Sequence, residues 1–136
     1  LLPAKIMEDI VPNLIDELPL FFLIASLIEG ESEFNGLSEL KHKESDRLSI
    51  MINNLQELDV EVHLNKDSLK IIGKKDRIFS DGLFDSHGDH RIAMTMLVAG
   101  LRSSRELTVN NVDCINTSFP EFIDQAKMLG FSFKNG

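Results

Sequence analysis

Asp16-Glu17-Leu18-Pro19-Leu20-Phe21-Phe22-Leu23-Ile24-Ala25-Ser26-Leu27-Ile28-Glu29-Gly30 is the stretch on which the fold turns. It predicts a helix over 17–29, with Asp16 as N-cap, Pro19 tolerated in the first turn and Gly30 as the stop. Its side chains are apolar nearly all round. A helix of that kind belongs in a core, sandwiched rather than lying on a surface.

Downstream, a short strand is expected over 32–35 and a polar loop over 36–44. A second helix starts at Ser45 and brings Leu48, Met51, Ile52, Leu55 and Leu58 to one stripe. Glu61-Val62-His63-Leu64 and Leu69-Lys70-Ile71-Ile72 alternate around Asn65-Lys66-Asp67-Ser68 and read as a β-hairpin. The charged segment 73–88 reads as a loop holding at most one short strand. A third helix, apolar on most faces, opens at Asp89 and carries Ile92, Ala93, Met96, Leu97 and Leu101. A strand over 107–109 and a loop over 110–117 follow. In the fourth helix, Ser118 and Glu121 form a capping box with Pro120 in the first turn. It ends at Gly130, and Phe131-Ser132-Phe133 alternates as a last strand.

The two halves match in order. Each gives an acidic N-cap, a nearly all-apolar helix, a strand, a polar loop, a Ser-capped amphipathic helix and a strand. Asp16 pairs with Asp89 and Ser45 with Ser118, an offset of about 73 residues in both cases. The fold class that follows is α/β (α+β), with repeated α/β units over approximately 11–72 and 84–136, buried helices and mixed sheets. Two α/β segments alike by chance are the alternative.

Composition narrows the function classes. With 136 residues, 43% hydrophobic and 26% charged, the chain has enough apolar material for one core and is neither disordered nor low-complexity. Twenty-two acidic residues against fourteen basic ones give a net charge of -8, with no basic run to track a phosphate backbone, so no nucleic-acid partner is expected. The one cysteine, Cys114, rules out an internal disulfide and a Cys-based zinc site, reads as a small buried residue, and fits the cytosol. The longest apolar run, Leu20 to Ile28, is well short of the roughly 20 residues that cross a bilayer, and no signal peptide precedes it. The chain begins Leu1-Leu2-Pro3 without Met, which fits a processed chain or a piece of a longer one.

Three polar clusters stand at predicted helix starts. Lys41-His42-Lys43-Glu44-Ser45-Asp46-Arg47 places Lys and Arg at the positive end of the second helix. It reads as a solvated, charged first turn or as a compact anion site, in which Glu44 stays ionised or shuttles protons. His87-Gly88-Asp89-His90-Arg91 suits a helix cap with Arg91 projecting towards an anion better than a metal site, because its His and Asp do not converge easily. Asp16 reads as a cap, or as a general base if the other helix starts converge on it. Together these starts suit a small, multiply anionic substrate and acid/base chemistry. No nucleophile elbow, P-loop or dinucleotide fingerprint occurs.

Asp16-Glu17-Leu18-Pro19, Lys43-Glu44-Ser45-Asp46-Arg47-Leu48, Gly88-Asp89-His90-Arg91-Ile92-Ala93-Met94 and Thr117-Ser118-Phe119-Pro120, in that order, resemble the C-terminal signatures of the 5-enolpyruvylshikimate-3-phosphate synthases (3-phosphoshikimate 1-carboxyvinyltransferases). The resemblance runs from about Val11 to the end. It implies an inside-out α/β barrel, incomplete here, and transfer of the enolpyruvyl group of phosphoenolpyruvate to the 5-hydroxyl of shikimate 3-phosphate, without metal or organic cofactor. By the same resemblance, Asp16 contacts the accepting hydroxyl and helps remove its proton, and Lys43 and Glu44 form the proton-transfer pair. Arg47 and Arg91 bind phosphoenolpyruvate, while Asp89 and His90 hold the helix start that presents Arg91.

Two positions depart from the pattern. Lys41-His42 stands where many relatives have Arg-Val, and Thr117 stands where some place a lysine. Family members are around three times this length, with two domains of three α/β units each and the active site between them. The resemblance therefore implies a partner, the N-terminal domain, and no turnover by this chain alone. Apolar helix faces left uncovered by a missing unit make self-association expected. The alternatives are a non-catalytic anion-binding or interaction module of the same fold and a complete small enzyme of unrelated chemistry.

Overall fold

The computed structural model describes residues 1–134. Lys5–Ile6 (β1) runs parallel to Gly30–Phe34 (β2), and between them the chain forms a helical turn, Val11–Leu14 (α1), and the apolar helix Leu18–Ser26 (α2). After a 3-10 turn at Leu37–His42 and the helix Arg47–Glu57 (α3), the hairpin Glu61–Asn65 (β3) and Ser68–Gly73 (β4) returns to β2. The sheet order is β1-β2-β4-β3. A second parallel pair, Gly82–Asp85 (β5) and Leu107–Asn110 (β6), encloses the helix His90–Ala99 (α4). The short helices Ile115–Ser118 (α5) and Phe122–Met128 (α6) follow. The fold is thus a mixed α/β arrangement whose two sheets do not close into a barrel.

The apolar helix lies where its composition demands. α2 packs against β4 on one side and against α3 and α4 on the other. Leu18, Phe22 and Leu23 are buried, and the Phe22 ring meets Phe34 of β2 edge-on at 4.9 Å. Enclosure is incomplete, because Leu20 and Phe21 remain 39% and 37% exposed. α3 buries Leu48, Met51 and Leu55, its predicted stripe, and Leu58 just past its end; Ile52 is only partly buried. β4 alternates as predicted, with Leu69 and Ile71 inward. Its last residue, Gly73, lies so close to the Ala25 and Ile28 carbonyls that a Cβ there would collide with both. Arg77 then covers the end of α2, donating through Nε to the Ser26 carbonyl at 3.2 Å, one of the carbonyls a helix leaves open.

Several predicted boundaries are corrected. α2 begins at Leu18, and its N-cap position is Glu17, with no side-chain cap bond, so Asp16 is not a cap. In α3 the cap is Asp46 rather than Ser45: the Asp46 carboxylate accepts from Ser49 N at 3.1 Å. Asp89 does cap α4, accepting from Arg91 N at 2.9 Å. Leu101, assigned to that helix face, lies beyond it and is 56% exposed. The Ser118–Glu121 capping box does not form. Ser118 closes α5, and Phe119, turned out of the helical region ahead of Pro120 (φ -145°, ψ 73°), breaks the helix before α6 starts at Phe122. Phe131-Ser132-Phe133 forms no strand; an alternating segment without a neighbour has nothing to pair with.

Candidate functional site

Three helix starts converge on one guanidinium. Arg47 opens α3 and is 1% exposed, and each of its three nitrogens is paired to a different carboxylate. Nε donates to Asp89 Oδ2 at 2.7 Å, Nη1 to Asp16 Oδ1 at 2.8 Å, and Nη2 to Glu44. These partners come from the cap of α4, the turn between α1 and α2, and the segment leading into α3. A fork of donors in one plane is what lets a single side chain hold three acceptors.

Local chain geometry sets up each part. Ahead of α4, His87 and Gly88 both take left-handed backbone conformations, φ 52° and 76°, and turn the chain sharply into Asp89. The Ser86 hydroxyl braces that turn, accepting from Gly88 N at 3.0 Å and donating to the Asn111 carbonyl at 2.7 Å. Asp89 is completely buried and fully used: Oδ1 takes Arg91 N, and Oδ2 takes both Arg47 Nε and the Ser45 hydroxyl, the latter at 3.0 Å. Buried charge on this scale is tolerable only with such pairing.

Around this buried junction lies an exposed rim. Lys43 Nζ stands 3.2 Å from Asp16 Oδ1, and Arg91 Nη1 donates to Glu17 Oε1 at 2.8 Å. Partial burial pushes the Asp16 carboxyl up, but hydrogen bonds and charge from Arg47 and Lys43 outweigh it and hold the group below its usual value. Burial likewise works against charge on Arg47, and the bond and charge of Asp89, with Asp16 and Glu44, more than offset it, so Arg47 is raised. Three cations, Lys43, Arg47 and Arg91, thus face four carboxylates, Asp16, Glu17, Glu44 and Asp89.

The structure brings together Asp16, Lys43, Glu44, Arg47 and Asp89 through direct bonds, with Arg91 joined through the Asp89 cap. His90 is half-buried in the first turn of α4 and makes no side-chain hydrogen bond among the described residues. Thr117 stands apart, its hydroxyl donating to the Cys114 carbonyl at 2.8 Å. Two participants carry more than the sequence assigned them. Ser45 was predicted to cap its own helix and instead bridges to Asp89, 44 residues away. Glu17, quoted only as part of a motif, pairs with Arg91. An open hollow of about 640 Å³ reaches Ile15, but Glu8, Asp9 and Glu39 in its lining give it the wrong sign for an anion.

Comparison with known proteins gives a consistent family. The family model described as EPSP synthase (3-phosphoshikimate 1-carboxyvinyltransferase) matches residues 3–126. The 3-phosphoshikimate 1-carboxyvinyltransferase of Magnetococcus marinus is 42% identical over 131 residues, which cover 96% of this chain and 29% of that protein. The Dichelobacter nodosus protein of the same name is 43% identical over 122 residues, 90% of this chain and 28% of its own length. Among solved structures, an EPSP synthase from Acinetobacter baumannii superposes with a TM-score of 0.91 at 37% identity, covering 97% of this chain and 31% of that one. The enolpyruvyl transferase NikO from Streptomyces tendae shares the fold, with a TM-score of 0.70 at 15% identity. The chain therefore spans less than a third of the length of these relatives.

Proposed function

Since the chain belongs to the EPSP synthase family, we propose that it carries one side of an active site that transfers the enolpyruvyl group of phosphoenolpyruvate to the 5-hydroxyl of shikimate 3-phosphate. The observation that supports this reading best is the meeting of three helix starts on Arg47 and Asp89, with Lys43 and Arg91 at the accessible rim. Helix N-termini and a planar cation suit a small trianion.

In this reading Asp16 accepts a hydrogen bond from the 5-hydroxyl. A carboxylate held below its usual pKa is a modest base, so its main contribution is orientation, with the proton moving only as the new bond forms. The hydroxyl oxygen bonds to C2 of phosphoenolpyruvate and passes its proton to Asp16, while Glu44, in its acid form once off Arg47, delivers its proton to the C3 methylene and becomes a carboxylate. Glu44 then takes a proton back from C3 as the C2–O bond to phosphate breaks, and the tetrahedral intermediate yields the enol ether and inorganic phosphate, which leaves with the proton held by Asp16. Lys43, Arg47 and Arg91 stabilise the charge that accumulates on the way, and Asp89 holds the start of α4 by its cap bond, with His90 in the first turn beside it. No cofactor enters the scheme.

The partner in this reading is the remaining part of a full-length synthase, which supplies the facing half of the clamp. Residues 11–72 and 84–136 are taken as two of its repeated α/β units, and the cytoplasm as its place. The test is co-production with the complementing N-terminal portion of a relative. Phosphate release should appear only with both parts and fall at least 100-fold with Glu44→Gln or Arg91→Ala. Activity that survives both changes, or never appears, removes this assignment in favour of a non-catalytic anion-binding module.

A further inference from the structure

A site read as the place for a trianion is, when empty, a cluster of four carboxylates and three cations. Arg47 uses three of its five N–H donors and is only 1% exposed, so its burial keeps a ligand oxygen away unless one of its partners moves. Those partners are not equivalent. Asp89 is completely buried, caps α4 and holds Ser45 as well. Asp16 is shared with Lys43. Glu44 is held at Arg47 alone among the described residues, lies outside any helix and is 52% exposed.

We infer that the Glu44 carboxylate is a built-in occupant of the anion site, seated on Arg47 Nη2 where an oxygen of phosphoenolpyruvate binds, and that ligand and Glu44 exchange there. The inference rests on the proposed function and deepens it. Exchange keeps the buried guanidinium paired throughout, which avoids the penalty of baring a charge in a dry place. It replaces one charge-assisted bond by another, so its cost is small. It also leaves Glu44 free beside the newly bound ligand, where a proton-delivering group is required. The charged groups facing it are Arg47 on α3, Lys43 beside it in the chain, Asp16 from the α1–α2 turn and, across Arg47, Asp89.

The test titrates phosphoenolpyruvate, and separately inorganic phosphate, into the wild-type chain, Glu44→Gln and Glu61→Gln by calorimetry. Glu61→Gln removes the same charge from the exposed β3 strand, away from Arg47. Glu44→Gln should bind about fivefold more tightly than wild type, the worth of one ion pair whose carboxylate is half in water, while Glu61→Gln should match wild type. Glu44→Asp, which keeps the charge and shortens the reach, should fall between. Equal or weaker binding by Glu44→Gln, or an equal gain in Glu61→Gln, overturns the exchange and leaves the anion site standing. No binding by wild type, with Asp89–Arg91 amide shifts unmoved, overturns the functional reading and the exchange together.

Discussion

Removal of the Arg47 guanidinium would strand Asp89, a carboxylate with no exposure that would lose its one cationic side-chain partner and keep only the Ser45 hydroxyl and the Arg91 N–H. Arg47→Ala should therefore lose about 3–5 kcal/mol in urea unfolding, close to the whole margin of a small domain. Arg47→Lys should recover only part of that loss, because a point charge cannot reach three separated acceptors. Asp16 makes a milder prediction. Its carbon NMR titration should have a midpoint below 3.8, and Lys43→Met should move that midpoint up. The group's contribution to stability is then whole above that pH and lost as acid titrates through the lowered value. It is a small contribution, since 46% of the side chain meets water. The chemistry-bearing residue types at this scale were legible as motifs. Their wiring was not: nothing in the spacing of Lys43-Glu44-Ser45-Asp46-Arg47 says that the arginine is buried and the lysine is not.

Between neighbouring residues of similar chemistry, backbone geometry chooses, and the elements show it. Ser45 and Asp46 are both good N-caps by type, yet Asp46 takes the non-helical position and receives Ser49 N, leaving Ser45 free to cross to α4. Asp46→Ala should cost about 1 kcal/mol. Ser118→Ala should stay within about 0.5 kcal/mol, since its hydroxyl caps nothing. Denaturant midpoints of the two variants check both. Helix and hairpin existence was readable wherever period was strong, as in the buried stripe of α3 and the alternation of β4. β1 was not readable, because a strand of two residues carries no period and exists through its pairing with β2. The reverse happened at Phe131–Phe133, where alternation without a partner strand made none.

Across the whole molecule, the chain and its bonds account for a site but not for a clamp. Alone, with phosphoenolpyruvate and shikimate 3-phosphate, it should release no phosphate above background; a coupled phosphate assay checks this, and turnover near that of a full-length relative would refute it. The same site also constrains how the molecule comes together. Beside the local Arg47–Glu44 pair and the Asp89 cap, its bonds join residues 31, 42, 44 and 74 positions apart, and none of these four forms within a single helix or hairpin. Contacts of such separation bear the full entropy of loop closure and are made late in folding, after local elements and the α2 core have collapsed. Hydrogen exchange at the start of α4 should then be slow only in the completed fold. The cluster is thereby a sentinel of finished assembly: a partly folded chain would have its helices without having the place where they meet.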